Sequence, residues 1–172
     1  REGNALTPSG LLFFYLGPTI AGATISADAA ANQFVKKAGD VASSVFLDGA
    51  LYATTGDYNG DGKLDLAVGE PKRTVLNAQN TVLDVSQRGT VYVLFAIADR
   101  AKGLSLTSPD RIINGEGEFD QFGVLSSTGP VDLNRDHLAD LFIDAPGADV
   151  VSPSLIPGGG KVYVVYDGVV AP

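Results

Sequence analysis

The sequence predicts an all-β fold, and three observations support this class. The 172-residue chain contains 21 Gly and 9 Pro, a content of turn-forming residues that is typical of all-β domains. Short runs of β-branched and aromatic residues, each led by a glycine, recur along the chain. No long segment carries apolar residues at helical spacing, and the best helix candidate, residues 27–37, is short. We therefore expect a single all-β domain over residues 1–172.

The glycine-led strands recur at a nearly constant interval. They cover residues 10–16, 89–95 and 160–166, so that their starts lie 79 and 71 residues apart. A short apolar run closed by a turn precedes the last two of them, at residues 64–71 and 139–146. With one strand before each such run and one after each glycine-led strand, the unit has four strands, which indicates a propeller blade. A β-sandwich with two similar hairpins is the alternative.

The predicted organisation is about two four-stranded antiparallel blades of the propeller type. Residues 44–118 form the first full repeat, and residues 119–172 form a second repeat that lacks its last strand. Residues 1–43 hold the last strands of a partial blade and an insertion. Because propellers have about four to eight blades, this is an incomplete ring unless the chain is part of a longer protein or of an oligomer. An open stack of blades is the third possibility.

Charge and composition restrict the classes of partner. Lys plus Arg is 12 and Asp plus Glu is 20, which gives a net charge of −8. An acidic surface argues against nucleic acid or an anionic membrane as partner. The most apolar run, residues 11–16, is far shorter than the roughly 20 residues that span a bilayer, so we expect no membrane span. The chain has no Cys, which excludes disulfides and thiolate chemistry.

Two acidic nine-residue segments, residues 57–65 and 132–140, have matched spacing. Both carry Asp at positions 1, 5 and 9 and Asn at position 3. Oxygens at positions 1, 3 and 5 of a tight loop, the carbonyl at position 7 and the carboxylate at position 9 can converge on one point, and calcium prefers six to eight hard oxygen ligands. The predicted ligands are Asp57, Asn59, Asp61, the Lys63 carbonyl and Asp65 in the first loop, and Asp132, Asn134, Asp136, the Leu138 carbonyl and Asp140 in the second.

Other interpretations of these loops are weaker or remain open. An EF-hand needs Glu at position 12, where Val68 and Ile143 stand. Zinc is disfavoured because there is no Cys and His137 is the only His. An acidic turn without an ion stays possible, since Asp, Asn and Gly are ordinary turn residues. The second loop has His137 where the first has Gly62, and Arg135 adds a positive charge, so we expect it to bind calcium more weakly.

The sequence around both loops resembles the FG-GAP repeat of the integrin α-subunit β-propeller and its bacterial relatives, over about residues 46–166. The landmarks are Phe-Gly at residues 122–123, counterparts of Gly-Ala-Pro at residues 69–71 and 145–146, and the G-x-V-Y-V strand at residues 89–93 and 160–164. The resemblance implies an extracellular propeller that is used for binding and stabilised by structural calcium ions.

The sequence thus predicts a non-enzymatic binding or assembly module, extracellular or at the cell surface, with two structural calcium ions and a protein or carbohydrate ligand. Residues 72–88 and 149–157 interrupt the repeat and are candidates for ligand contact. The alternative is a structural subunit of a surface filament or sheath, in which further copies of the chain join head-to-tail by strand complementation. An enzyme is not expected: no G-x-S-x-G elbow occurs, and the single His lies in a predicted calcium loop, which leaves a Ser-His-Asp triad without a free base.

Overall fold

The computed structural model describes residues 52–72, 87–99, 106, 108–126, 129, 131–151 and 153–166, and the backbone alone of five strands at residues 11–14, 32–35, 44–47, 73–76 and 82–84. The strands are β1 (Leu11–Phe14), β2 (Asn32–Val35), β3 (Ser44–Leu47), β4 (Tyr52–Gly56), β5 (Asp65–Glu70), β6 (Arg73–Leu76), β7 (Val82–Asp84), β8 (Thr90–Leu94), β9 (Arg111–Asn114), β10 (Val124–Leu125), β11 (Leu141–Ala145), β12 (Val150–Val151), β13 (Leu155–Ile156) and β14 (Lys161–Val165). The only other regular element in this part of the chain is a 3₁₀ turn at Ile97–Asp99. The predicted all-β class, with open antiparallel sheets, is confirmed.

The first sheet has four antiparallel strands in the order β4-β5-β8-β9. Both central strands, β5 and β8, are buried along their whole length. Such burial on both faces agrees with their nearly continuous apolar sequences, because a strand covered on one face only would alternate apolar and polar residues. The loop between β4 and β5 contains the first acidic segment.

The second sheet has the order β10-β11-β14 and repeats the pairing of the first sheet residue by residue. Leu66 faces Leu94 in the first sheet, and Leu141 faces Val165 in the second. The whole β11–β14 ladder follows this alignment, so that each residue of the second sheet has a defined counterpart in the first. The same side-chain pattern therefore produces the same register in both repeats.

The N-terminal pair of strands repeats the outer pair of the first sheet. Leu11 of β1 faces Val35 of β2, and 79 residues later Thr90 of β8 faces Asn114 of β9. This pair therefore corresponds to the third and fourth strands of a repeat. The domain boundaries predicted from the sequence remain predictions.

The helix suggested for residues 27–37 is wrong where the structure describes that segment. Asn32–Val35 form β2, which pairs with Leu11–Phe14. The Ala-rich sequence before these residues favours a helix locally, but pairing with an apolar strand outweighs weak local propensity.

Both repeats carry inserted strands between their second and third strands. In the first repeat β6 and β7 form a sheet with β3, in the order β3-β6-β7. In the second repeat β12 and β13 form a two-stranded hairpin. These elements occupy much of the two variable stretches that the sequence marks as candidates for ligand contact.

The main core lies between the two sheets. Ala67, Val91 and Val93 of the first sheet pack with buried residues of the second, which include Ile143 and Ala145. The opposite face of the first sheet is also buried. Its side chains form a second cluster with two residues from outside the strands, and this cluster consists of Leu66, Val68, Tyr92, Leu94, Ile97 and Leu106. Among the described residues of the second sheet, the fully buried ones of β11 lie on the face that meets the first sheet.

Candidate functional site

The first acidic loop is organised by its own carboxylates. The two oxygens of Asp57 accept hydrogen bonds from the backbone N–H groups of Gly60 and Gly62, at 2.8 and 2.9 Å. Asn59 Oδ1 accepts from Asp61 N, and Asp61 Oδ1 accepts from Lys63 N at 2.8 Å. These local side-chain to backbone bonds fold the chain around the oxygens at positions 1, 3 and 5.

The second loop has the same pattern of bonds. Asp132 accepts from the N–H groups of Arg135 and His137, at 2.6 and 2.9 Å. Asn134 Oδ1 accepts from Asp136 N, and Asp136 Oδ1 accepts from Leu138 N at 2.8 Å. Positions 1, 3 and 5 therefore have the same roles in both loops.

The backbone angles agree as well. Gly60 and Gly62 have φ of 77° and 75°, and the equivalent Arg135 and His137 have φ of 66° and 72°. Residues with a Cβ adopt this left-handed region at a cost of about 1–2 kcal/mol. The second loop thus reaches the same conformation without the glycines that make it easy, and it is intrinsically strained.

Asp65, the predicted ligand at position 9, is a fully buried connection between the loop and the strands. Its Oδ2 accepts from Tyr58 N and its Oδ1 from Ala96 N, both at 2.8 Å. Burial raises the pKa of this carboxyl, the two N–H donors lower it, and the nearby carboxylates Asp61 and Asp57 raise it further, so that the net direction is upward. Burial is therefore the main cost of ionising Asp65, and the neighbouring carboxylates add to it.

Asp140, the equivalent residue of the second loop, is less completely satisfied. Its Oδ2 accepts from Leu133 N at 2.6 Å, but its buried Oδ1 has no hydrogen-bond partner. The position equivalent to Ala96 is residue 167, which lies outside the described residues. A buried carboxylate oxygen without a donor is costly unless a proton, a donor or a cation reaches it.

The two acidic loops touch each other. Ala139 N donates to Asp57 O at 2.9 Å, and a Cβ added to Gly60 would lie 2.8 Å from Leu138 Cδ2. A cleft of about 220 Å³ lies between them, lined by Asp57, Val131, Asp132, His137, Leu138 and Ala139. The loops thus form one structural unit at the junction of the two sheets.

Lys63 has one role that the sequence does not indicate. Its side chain forms a 2.6 Å ion pair with Asp99, and the Leu64 carbonyl accepts from Ile97 N at 2.9 Å. The 3₁₀ turn after β8 is therefore fastened to the first loop. Only the backbone carbonyl of Lys63 belongs to the predicted ligand set, so the ion pair does not compete with it.

The donor chemistry of both loops is that of a hard cation. Carboxylate, amide and carbonyl oxygens suit calcium or magnesium, whereas the sites that zinc prefers use Cys and His. In the described part of the chain, no three His, Cys, Asp or Glu side chains are close enough together to form a metal site by themselves. A cation bound here would have to draw the carboxylates of a loop together, and the amide and carbonyl oxygens would complete its shell.

Sequence patterns alone do not reveal two further contacts near the site. Tyr58, between two predicted ligands, is 1% exposed and packs in the main core. Glu70, in the counterpart of the Gly-Ala-Pro landmark, is 2% exposed and accepts from the Tyr92 hydroxyl at 3.1 Å. The apolar surroundings of both residues suggest burial, but nothing local in the sequence identifies their partners.

Comparison with known families agrees with the resemblance. The family model of the FG-GAP repeat matches residues 53–94, about a quarter of the chain, which include β4, the first acidic loop, β5 and β8. The suspected FG-GAP repeat is thereby confirmed for this segment, which is a repeat of the kind found in β-propeller binding modules. No curated protein matches the chain. In the described part of the chain, no helix has the length and apolar character needed to cross a membrane.

Proposed function

We propose that the chain is a non-enzymatic, extracellular binding module in which two structural calcium ions stabilise the junction between neighbouring propeller-type sheets. The observation that carries the proposal is that positions 1, 3 and 5 accept the same backbone hydrogen bonds in the two acidic loops, although the second loop lacks the glycines that the first has at positions 4 and 6. The second loop adopts the conformation of the first although Arg135 and His137 have unfavourable backbone angles, which suggests that the two loops share a function. Binding of a hard cation by the oxygens of each loop would be such a function.

The residues that would hold the ions are those predicted from the sequence. Asp57, Asn59, Asp61, the Lys63 carbonyl and Asp65 would hold one, and Asp132, Asn134, Asp136, the Leu138 carbonyl and Asp140 the other. A bound calcium would supply positive charge that offsets repulsion among the carboxylates. The pKa of Asp65 is raised mainly by burial, and repulsion from Asp61 and Asp57 adds to the rise. Since the loops contact each other through Asp57 and Ala139, ordering them would also order the junction between the sheets.

Thermal unfolding in excess calcium and in excess chelator tests this proposal. At a free calcium concentration of 100 times the dissociation constant, one site adds about 2.7 kcal/mol to the free energy of unfolding. Calcium should therefore raise the melting temperature by several degrees, and chelator should reverse the rise. Asp57→Asn should reduce the effect, and Glu118→Gln, an exposed carboxylate outside the loops, should not. Equal melting temperatures in calcium and in chelator would refute the calcium role.

A second candidate function is a self-assembling structural subunit. In the described residues β14 pairs only with β11, whereas its counterpart β8 pairs with β5 and β9. An open edge of this kind accepts an added strand. Because β2 corresponds to β9, the fourth strand of the first sheet, the β2 strand of a second copy could pair with β14. Sedimentation velocity over a range of protein concentrations tests it: a monomer at all concentrations would exclude assembly, and growing species would support it.

A further inference from the structure

Equivalent faces of the two sheets have different surroundings. The face of the first sheet that contains Ala67 and Gly69 packs against the second sheet. The counterparts of these residues in the second sheet, Phe142 and Asp144, point away from the main core, because Leu141, Ile143 and Ala145 on the same strand are the residues that enter it. We call this surface the outer face; it consists of Val124, Phe142, Asp144, Val162 and Val164.

The outer face is mostly apolar and partly accessible. Val162 of β14 is 64% exposed, and the other four residues of the face, Val124, Phe142, Asp144 and Val164, are half-buried. Clustered apolar side chains on a sheet face lose contact with water when a partner covers them, so such a surface favours association.

Another blade cannot cover the outer face in the way that the second sheet covers the first. That packing brings the Gly123 carbonyl oxygen to within 1.8 Å of where a Cβ on Gly69 would lie. Asp144 stands at the equivalent position and carries both a Cβ and a carboxylate, and Phe142 replaces the small Ala67. The same close backbone approach is therefore blocked, and the occupant must be of another kind.

The charge of Asp144 specifies the chemistry of that occupant. Asp144 lies on the central strand between Val124 and Val162, which are its cross-strand neighbours. In the described part of the chain its carboxylate has no hydrogen bond or ion pair. A partner that covered the face would remove this charge from water, which is strongly unfavourable unless the partner brings a cation.

We propose that the outer face binds a polypeptide segment that presents apolar side chains around one Lys or Arg, which pairs with Asp144. The inference rests on the proposed binding role and names the kind of ligand, but it requires no bound ion. It concerns the sheet surface rather than the inserted loops that the sequence marks as candidates.

Two matched synthetic peptides test the proposal: capped Val-Thr-Val-Thr-Lys-Thr-Val-Thr-Val, and the same peptide with Glu in place of Lys. Each is titrated into the ¹⁵N-labelled full chain, in calcium and in chelator, and amide shifts are followed by NMR. The Lys peptide should bind at least about tenfold more tightly than the Glu peptide, because it forms a charge-assisted pair instead of a repulsion. Its shifts should centre on β11 and β14.

Three variants make the result specific. Asp144→Asn should abolish the preference for the Lys peptide, and Val162→Asn should weaken binding of both peptides. Val151→Asn, a 73% exposed valine on the β12–β13 hairpin, should change neither. No binding, no preference for Lys, or shifts away from β11 and β14 would overturn the proposal, as would self-association that Val162→Asn abolishes. Peptide binding without any calcium effect on melting would leave this inference standing and refute only the calcium role.

Discussion

The backbone of Gly69 lies so close to that of Gly123 that a Cβ at position 69 would stand 1.8 Å from the Gly123 carbonyl oxygen. Gly69 belongs to β5, and Gly123 immediately precedes β10, so the contact joins the two sheets. Beside it, Phe122 N donates to Arg88 O at 2.9 Å. The Phe-Gly segment at residues 122–123, which resembles an FG-GAP landmark, therefore lies where the second sheet contacts the first.

This contact predicts that Gly69→Ala is severely destabilising. The added methyl group meets backbone, which cannot move aside without separating the sheets, so we expect a loss of at least about 3 kcal/mol, the upper end for overpacking. Urea unfolding at equilibrium measures it. Gly158→Ala, at a glycine with φ of 61° and no atom within 4 Å of the added Cβ, should cost only about 1 kcal/mol. Equal losses for the two variants would show that the close approach is not what position 69 requires.

The strain in the second loop predicts that His137→Gly stabilises the chain. His137 has φ of 72°, where glycine is free of the Cβ clash, so the gain should be about 1 kcal/mol in calcium-free buffer. The reciprocal change Gly62→His should lower stability by a similar amount. Leu133→Gly, in the same loop but without a positive φ, should destabilise, and a stabilising effect there would contradict this explanation.

The unequal bonding of the two position-9 aspartates predicts unequal effects of removing their charge. Asp65→Asn must turn an amide NH₂ toward one of two backbone N–H groups, so it should cost about 2 kcal/mol without calcium. Asp140→Asn can keep its oxygen on Leu133 N and place its NH₂ at the unpartnered position, so it should cost less than about 1 kcal/mol. Denaturant unfolding in chelator compares them. A larger cost at Asp140 would contradict the assigned bonds.

The burial of the Tyr58 side chain predicts that the chain loses stability in alkaline solution. Burial raises its pKa to about 12, a rise opposed by a hydrogen bond with Thr54 and reinforced by the charge of Asp65. Because the folded pKa lies above the unfolded value of about 10, folding favours the neutral phenol. Its contribution is complete below pH 10 and is lost as the pH rises toward 12. The two-unit difference corresponds to about 3 kcal/mol.

Tyr58→Phe isolates this contribution. The variant should lose the part of the pH dependence between 10 and 12 that Tyr58 causes, as measured by urea unfolding at several pH values. Tyr166→Phe, at a 51% exposed tyrosine, serves as the control and should leave the profile unchanged. An unchanged profile for Tyr58→Phe would mean that this hydroxyl is not the group that titrates.

Local sequence was sufficient for the main strands of the repeat and the acidic loops, but not for the inserted strands β6, β7, β12 and β13. The alternation and branching of residues 90–94 and 161–165 predict strands, and strands are found there. The spacing of Asp and Asn in both acidic segments predicts tight loops between strands, because these side chains bond the backbone two to five residues ahead. The helix predicted for residues 27–37 is wrong because local propensity carries no information about β1, the strand with which residues 32–35 pair.

The sequence by itself determined where the glycine-led strands, the apolar strands before them and the acidic loops lie, since turn chemistry and side-chain periodicity act over a few residues. It did not locate β2 or the inserted strands. Only the tertiary structure decided that Ala139 hydrogen-bonds Asp57, that the backbones of Gly69 and Gly123 meet, and that Asp144 lies on the sheet face that points away from the main core. These relationships join residues far apart in the chain, or depend on which sheet face is covered. They arise from the fit of one sheet against another, which no short stretch of sequence encodes.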